Sequence, residues 1–149
     1  PTPLVDTKQQ EMFPDPSPDG QWVVYARALA SSRTAYSEIW MVRSDGTEPR
    51  RLAANGTFPT FSADGKRVYF SRDRVAMYQV DLETGTESLV FPKKKRTLSG
   101  YSLVMPRVSP DGNFVTFTSD KPERWTAWVA KLGSEEMTRV GHGCEPGWG

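Results

Sequence analysis

The sequence predicts an all-β protein made of tandem four-stranded antiparallel sheets, the blades of a β-propeller. Three similar strings, FPDPSPDG, FPTFSADG and MPRVSPDG, begin at Phe13, Phe58 and Met105. Each string is followed by a run in which valine, tyrosine or phenylalanine alternates with other residues, as in β-strands. The repeat prolines Pro14, Pro59 and Pro106 are 45 and 47 residues apart. A unit of this length with four short strands has the spacing of a propeller blade.

The first two strands of each unit are joined by the turn at the end of these strings. Proline presets the backbone angle of the second turn position, aspartate caps main-chain N–H groups, and glycine accepts the unusual angles of the exit. Ala63 replaces the proline in the second copy. We therefore assign a structural turn role to six residues, Asp19, Gly20, Asp64, Gly65, Asp111 and Gly112.

The remaining strands keep the same register in all three copies. The second strands read QWVVYA, KRVYFS and NFVTFT, and the third strands place Trp40, Tyr78 and Trp128 at matching positions. A turn containing glycine follows, and the fourth strands read PRRLA, ESLVF and EMTRV. The recurring aromatics are interpreted as blade core rather than as a cofactor cage.

These repeats divide the chain into blades at 13–56, 57–104 and 105–142, with 143–149 as the start of a further blade. Residues 1–12 form a separate N-terminal segment, in which LVDT from Leu4 is a candidate for the last strand of a preceding blade. The absence of an initiator methionine at Pro1 suggests a processed product or a fragment. Each blade of a propeller buries one face on each neighbour. We therefore expect either a larger propeller or two copies that close a six-bladed ring.

Composition excludes several classes of partner. The 19 lysines and arginines balance 18 aspartates and glutamates, so no overall charge favours nucleic acid or an anionic membrane. Apolar runs are far shorter than the roughly 20 residues that span a bilayer. Cys144 is the only cysteine, which excludes an internal disulfide and a paired-cysteine zinc site.

The Pro-x-x-Ser-Pro-Asp-Gly strings, the aromatic-bearing third strand and the glycine turn resemble the TolB-type WD40-like repeat family, also called PD40. The resemblance covers about residues 13–149. It implies a propeller that binds a protein or peptide through its funnel and loops, and a periplasmic or extracellular location in the bacterial envelope. Similar blades also precede the hydrolase domain of prolyl-oligopeptidase-like and tricorn-like peptidases.

Motifs for catalysis are missing from the sequence, so we predict no catalytic residues. His142 is the only histidine, and its pairing with Cys144 is more simply explained as a connection between blades. There is no G-x-S-x-G nucleophile elbow, phosphate loop or helical zinc motif. We predict no metal site and no cofactor, and calcium held by acidic turn residues is the alternative.

Candidate contact residues lie in loops, where binding on a rigid scaffold is concentrated. Arg33 and Tyr36 belong to an insertion at 29–36, and Arg107 lies next to a repeat proline. A basic run between the second and third blades consists of Lys93, Lys94, Lys95 and Arg96. This run suits an acidic partner or phosphates, although such runs are more often solvated loops.

Three functions are consistent with these sequence features. The first is a non-catalytic scaffold that presents loops to a protein or peptide partner. The second is the propeller portion of a larger hydrolase, and the third is a sensor of a small ligand or sugar in the central channel. Nucleic-acid binding is not expected, because only Tyr101 lies close enough to the basic run to stack a base.

Overall fold

The computed structural model describes residues 3–5, 7, 9–29, 37–94, 98, 100–122 and 125–143. The described residues form three four-stranded sheets and contain no helix. Blade 1 contains β1 (Glu11–Pro16), β2 (Trp22–Ala28), β3 (Ser37–Arg43) and β4 (Arg50–Ala53). Blade 2 contains β5 (Thr57–Phe61), β6 (Arg67–Arg72), β7 (Ala76–Asp81) and β8 (Glu87–Phe91). Blade 3 contains β9 (Val104–Val108), β10 (Phe114–Ser119), β11 (Thr126–Lys131) and β12 (Met137–His142).

Every sheet is an antiparallel meander in which sequential strands are neighbours. This arrangement confirms the predicted all-β fold of propeller blades. The first strand of each blade is a sheet edge, and β1 contacts β5 while β5 contacts β9. We call β1, β5 and β9 the inner strands, because they bring the three sheets together on one side.

The interface between blades 1 and 2 is apolar. Successive side chains of a strand point to opposite faces of the sheet. Val24 and Ala26 therefore share the face of blade 1 that packs against Val68 and Phe70 of blade 2. All four residues are fully buried. The hydrophobic effect of this burial holds the two blades together.

The interface between blades 2 and 3 has a second apolar core. Tyr69 and Met77 from blade 2 pack with Phe117 and Ala130 from blade 3. Phe91 lies 6.0 Å from Phe117 between ring centroids. The connection from β8 to β9 adds its own apolar residues, Leu98, Tyr101 and Leu103, to this core. The unusually long connection is thus part of the packed structure.

The segments at the two ends are only partly described. Leu4, Val5 and Thr7 are not in a strand, and the placement of this segment in a preceding blade stays a prediction. The predicted start of a further blade lies outside the described residues, except for Gly143. Within the described ranges no helix is long and apolar enough to cross a bilayer.

Candidate functional site

The three Ser-x-Asp-Gly turns fix the ends of the inner strands in one repeated geometry. In blade 1 the Ser17 hydroxyl donates to Asp19 Oδ1 and accepts the Trp22 N–H at 2.9 Å. Asp19 Oδ1 also accepts the Gln21 N–H at 3.0 Å, and Gly20 has a φ of 70°. The hydrogen bond from Ser17 is the main reason that the pKa of Asp19 is lowered. The serine therefore contributes as directly to the turn as the proline, aspartate and glycine do.

The same turn recurs in the other two blades. Asp64 accepts hydrogen bonds from Ser62 and from the Lys66 N–H, and Asp111 accepts them from Ser109 and the Asn113 N–H. These bonds lower the pKa of both aspartates, with the serine hydroxyl as the largest cause. Gly65 and Gly112 have φ values of 69° and 74°.

Each inner strand contains a bulge at the residue before its repeat proline. Phe13, Phe58 and Met105 have φ values of 56°, 53° and 49°. The pairing of each inner strand with its neighbour shifts register at these positions. A large side chain in left-handed backbone costs about 1–2 kcal/mol relative to the ordinary region. A bulge re-aims side chains, so the three blades direct large apolar groups in the same unusual way.

These side chains line a pocket of about 780 Å³. Its apolar wall is formed by Met12, Phe13, Phe58, Val104, Met105 and Trp125. The rings of Phe13 and Phe58 lie 4.4 Å apart between centroids. Phe13 is 39% exposed and Trp125 is 41% exposed, although both are large apolar residues. A pocket of this size with exposed aromatic walls has the character of a ligand site.

Polar groups occupy the rim of the same pocket. Gln10, Asn55, Asp73 and Arg74 contribute amide, carboxylate and guanidinium groups. Arg74 donates to Asp120 Oδ2 at 2.7 Å, which ties the rim of blade 2 to blade 3.

Asp120 is held in place from two sides. It accepts a short hydrogen bond from the Ser102 hydroxyl as well as the bond from Arg74. These two bonds, with Ser102 as the larger cause, lower the pKa of Asp120, so it is ionised at neutral pH. The guanidinium of Arg74 is thereby fixed beside the apolar wall.

A polar layer follows the apolar layer along the inner strands. Asp15, Thr60 and Arg107 each come directly after the repeat proline. Asp15 Oδ2 accepts the Thr60 hydroxyl at 3.0 Å and the Phe61 N–H at 2.9 Å. Arg107 Nη1 lies 3.6 Å from Asp15 Oδ1. Arg107, predicted as a ligand contact, is thus on an inner strand, with its side chain 42% exposed.

The other predicted contact residues are placed differently. Arg33 and Tyr36 lie outside the described residues, but Ala28 and Ser37, near the two ends of their loop, line the pocket. Lys95 and Arg96 also lie outside the described residues. The main-chain N–H groups of Lys93 and Lys94 donate to the Glu135 carboxylate, in the turn between β11 and β12.

These contacts place the start of the basic run beside the turn between β11 and β12 rather than at the pocket. Neither Lys93 nor Lys94 belongs to the pocket wall. The role predicted for the run in binding an acidic partner or phosphates stays a prediction.

His142 lies at the end of β12, where Arg139 Nη2 approaches its Nε2 at 2.6 Å. Its predicted neighbour Cys144 is outside the described residues. In the described part of the chain, no group of three or more histidine, cysteine, aspartate or glutamate residues is arranged to hold a metal ion.

None of the six residues of the apolar wall was predicted from the sequence as a site residue, including Phe13, Phe58, Met105 and Trp125. A signal was present for Phe13, Phe58 and Met105, because the residue before the repeat proline is large and apolar in every copy. The bulge that turns these residues into the pocket is not visible in the hydrophobic pattern. Trp125 carried no repeat signal.

Comparison with known sequences finds a relative for part of the chain. No family model matches the chain. An uncharacterized protein of Agrobacterium fabrum is 42% identical over 60 residues, which cover 38% of this chain and 19% of that protein. The chain therefore matches about a fifth of the length of this relative.

Solved structures of propellers superpose on most of the chain. TolB from Acinetobacter baumannii matches with a TM-score of 0.67 and 23% identity over 92% of this chain and 33% of TolB. The acylaminoacyl peptidase of Pyrococcus horikoshii matches with a TM-score of 0.62 and 16% identity, over 87% of this chain and 24% of the peptidase. The chain spans about a third of the length of TolB. At these identities the likeness shows the fold alone, a TolB-like arrangement of β-propeller blades.

Proposed function

We propose that this propeller segment is a non-catalytic scaffold that binds an extended peptide, or a loop of a partner protein, in the pocket at the inner strands. The observation that carries this proposal is the threefold repetition of a strained, large apolar residue at the pocket wall, Phe13, Phe58 and Met105. Strained backbone persists where the surrounding structure holds it and is concentrated at binding sites. An exposed aromatic wall suits the apolar side chain with which a peptide anchors itself.

The inner strands also offer main-chain groups to a peptide. Each is the edge of its sheet, so one side of its backbone is not paired within the blade. Extended peptides bind such edges through main-chain hydrogen bonds, and side-chain pockets supply the specificity. The bulges interrupt regular pairing at these edges, which favours one bound segment over continued sheet growth.

The charged groups near the apolar wall determine the orientation of the bound peptide in our proposal. Arg74 lies at the rim and Arg107 lies with Asp15 beyond the apolar layer. In our proposal the apolar wall receives one side chain of the peptide. The guanidinium of Arg74 then binds a carbonyl or carboxylate of the same peptide. The contact role predicted for Arg33 and Tyr36, which lie outside the described residues, stays a prediction.

The experiment is a selection of peptides from a displayed random library, followed by calorimetric titration. The Phe13→Glu variant replaces one exposed aromatic side chain of the wall with a carboxylate. We expect it to weaken binding of the selected peptide by about 10- to 100-fold, because the peptide loses the contact of its buried apolar anchor.

The matched control is Leu89→Glu, because Leu89 is 38% exposed but lies on β8, away from the pocket. It should leave the affinity unchanged. Equal affinity for wild type and Phe13→Glu would contradict the proposal, and so would failure to select any peptide.

A second function is favoured by the likeness to the acylaminoacyl peptidase. The part that matches this chain is 24% of the length of the peptidase. In that case the segment belongs to a larger hydrolase and positions its substrate. Sequencing the complete gene tests this alternative. A nucleophile elbow followed by aspartate and histidine in the encoded protein would favour it, whereas further blades would favour the scaffold.

The resemblance to TolB-type repeats supports a location in the bacterial envelope, and we include that location in the proposal. Fractionation of cells that produce the complete protein tests it. Recovery with periplasmic or extracellular marker proteins is expected, and recovery with cytoplasmic markers would contradict it.

A further inference from the structure

The hairpin that joins β6 to β7 carries two charged residues at the rim of the pocket. Asp73 and Arg74 are its central residues, and the Val75 N–H closes the turn by donating to the Arg72 carbonyl at 3.1 Å. Both central residues line the pocket and both are exposed. Their φ values of 52° and 57° are left-handed, although such turns normally contain asparagine and glycine. A carboxylate and a guanidinium thus occupy positions that the backbone does not favour, as is common at binding sites.

Three hydrogen bonds from neighbouring elements fix this hairpin. Arg72 Nε and Nη2 donate to two carbonyls of the connection that leaves blade 1, at 3.0 Å each. The Leu103 N–H, just ahead of β9, donates to the Arg74 carbonyl at 2.6 Å. The backbone at Asp73 is therefore held between blades 1 and 3. A group that is preorganised in this way loses little conformational freedom when a ligand binds to it.

The charges at this rim do not cancel. Asp73 and Arg74 are the only charged residues among the described residues that line the pocket. The Arg74 guanidinium donates to the Asp120 carboxylate, which the Ser102 hydroxyl also holds. Asp73 forms no ion pair with another residue in the described part of the chain. Two carboxylates and one guanidinium thus leave an excess of one negative charge beside the apolar wall.

A single carboxylate beside aromatic rings suits an organic cation. A calcium ion takes about six to eight oxygen ligands, and the described ranges contain no cluster of acidic residues arranged for a metal. An ammonium or guanidinium group can be bound by one carboxylate and is also attracted by the face of an aromatic ring.

The aromatic residues of the same pocket offer such rings. Phe13 and Trp125 belong to its apolar wall, and both are exposed. The excess negative charge and the exposed rings therefore favour the same chemical class of ligand group, a cation at the end of an organic chain.

We infer that the peptide bound in the pocket carries a lysine or arginine next to its apolar anchor, and that Asp73 binds the cationic end of this side chain. This inference rests on the function proposed above, because it specifies the ligand of the same pocket. The aliphatic stem of the basic residue lies along the apolar wall while its charged end reaches the rim. Arg74 keeps the role given to it above.

Calorimetric titration with two synthetic peptides tests this inference. The first is the tightest peptide selected by display, with its amino terminus acetylated so that the terminus carries no charge. The second has norleucine in place of the basic residue, which keeps the aliphatic stem and removes the cation. We expect the norleucine peptide to bind the wild type about tenfold more weakly, because it loses a charge-assisted hydrogen bond. Selected peptides without lysine or arginine beside their apolar anchor would overturn the inference and leave the proposed function intact.

The Asp73→Asn variant removes the carboxylate and keeps the turn, because asparagine accepts left-handed backbone. It should bind the basic peptide about tenfold more weakly and the norleucine peptide as the wild type does. Added salt should weaken binding of the basic peptide more on the wild type than on this variant. The matched control is Glu83→Gln, which removes an exposed carboxylate at the other end of β7, outside the pocket wall. It should bind both peptides like the wild type.

Circular dichroism and thermal unfolding establish that both variants are folded. Equal affinity of the two peptides for the wild type would overturn the inference without the use of any variant. An equal loss of both peptides on Asp73→Asn would overturn it as well, because the effect would then be structural. In both cases a peptide still binds the wild type, so the proposed function would stand. Failure of every peptide to bind would remove both.

Discussion

Replacing Gly56 by alanine tests the packing between the pocket and the core. A Cβ at this position would lie 2.6 Å from Ile39 Cγ1 and 2.7 Å from Phe70 Cδ2. Non-bonded carbon atoms normally approach to about 3.5–4.0 Å. Ile39 and Phe70 are both 0% exposed and have no open space to move into. The Ser37 hydroxyl donates to the Gly56 carbonyl at 2.5 Å and opposes a shift of the backbone.

Overpacking of this kind costs about 1–3 kcal/mol. Since both neighbours are enclosed and the backbone is held, we expect a cost near the upper end of that range for Gly56→Ala. In a domain of this size such a loss lowers the melting temperature by about 6–12 °C. Urea denaturation followed by tryptophan fluorescence measures the change in the free energy of unfolding.

Gly141→Ala is the matched control for this experiment. An added Cβ at Gly141 meets no atom within 4 Å, and its φ is not in the left-handed region. The control should unfold at the wild-type urea concentration or slightly above it. Equal stability of the two variants would refute the packing argument, because the same methyl group would then be tolerated in the closed and in the open position.

Two further predictions concern the polar bonds of the blades. Arg72→Lys should lower the free energy of unfolding by about 1–3 kcal/mol, because lysine lacks the fork that binds two carbonyls and Glu87 together. Arg51→Lys, at an exposed ion pair, should change it by less than about 0.5 kcal/mol, and urea midpoints that do not differ between the two variants would contradict this expectation. The lowered pKa of Asp111 means that its stabilisation is complete above the ordinary aspartate pKa of about 3.9 and is lost as the pH falls through the lower folded value. Asp111→Asn should therefore be less stable than wild type at pH 7 and should lose less stability in acid. Urea midpoints that fall by the same amount in both proteins between about pH 7 and about pH 2.5 would contradict this expectation.

Much of the fold follows from local features that a sequence displays. The turn strings, the alternating runs and the spacing of the repeat prolines predict four-stranded blades, because each feature acts within one unit. The polar role of Ser17 and its counterparts was not anticipated, since the hydroxyl joins the aspartate to an N–H five residues away from the serine. That contact depends on how the hairpin closes.

The candidate site was harder to predict, because it is assembled from three blades. Phe13 and Phe58 are 45 residues apart in the sequence and meet only when their sheets pack side by side. Their direction depends on a bulge, which the apolar pattern does not encode. Attention to loops led to Arg107 and the segment at 29–36, whose role in binding stays a prediction, and overlooked Trp125, which comes to the pocket from the connection ahead of β11.

The central claim is that the inner-strand pocket binds a peptide, and nuclear magnetic resonance of the tryptophan indole N–H groups tests it most directly. Trp125 lies in the pocket wall, whereas Trp40 is paired with Tyr25 on the face of blade 1 that points away from blade 2. During titration with a peptide selected by display, the Trp125 signal should shift with the bound fraction while the Trp40 signal stays in place. A bound peptide that leaves Trp125 unchanged would contradict the claim.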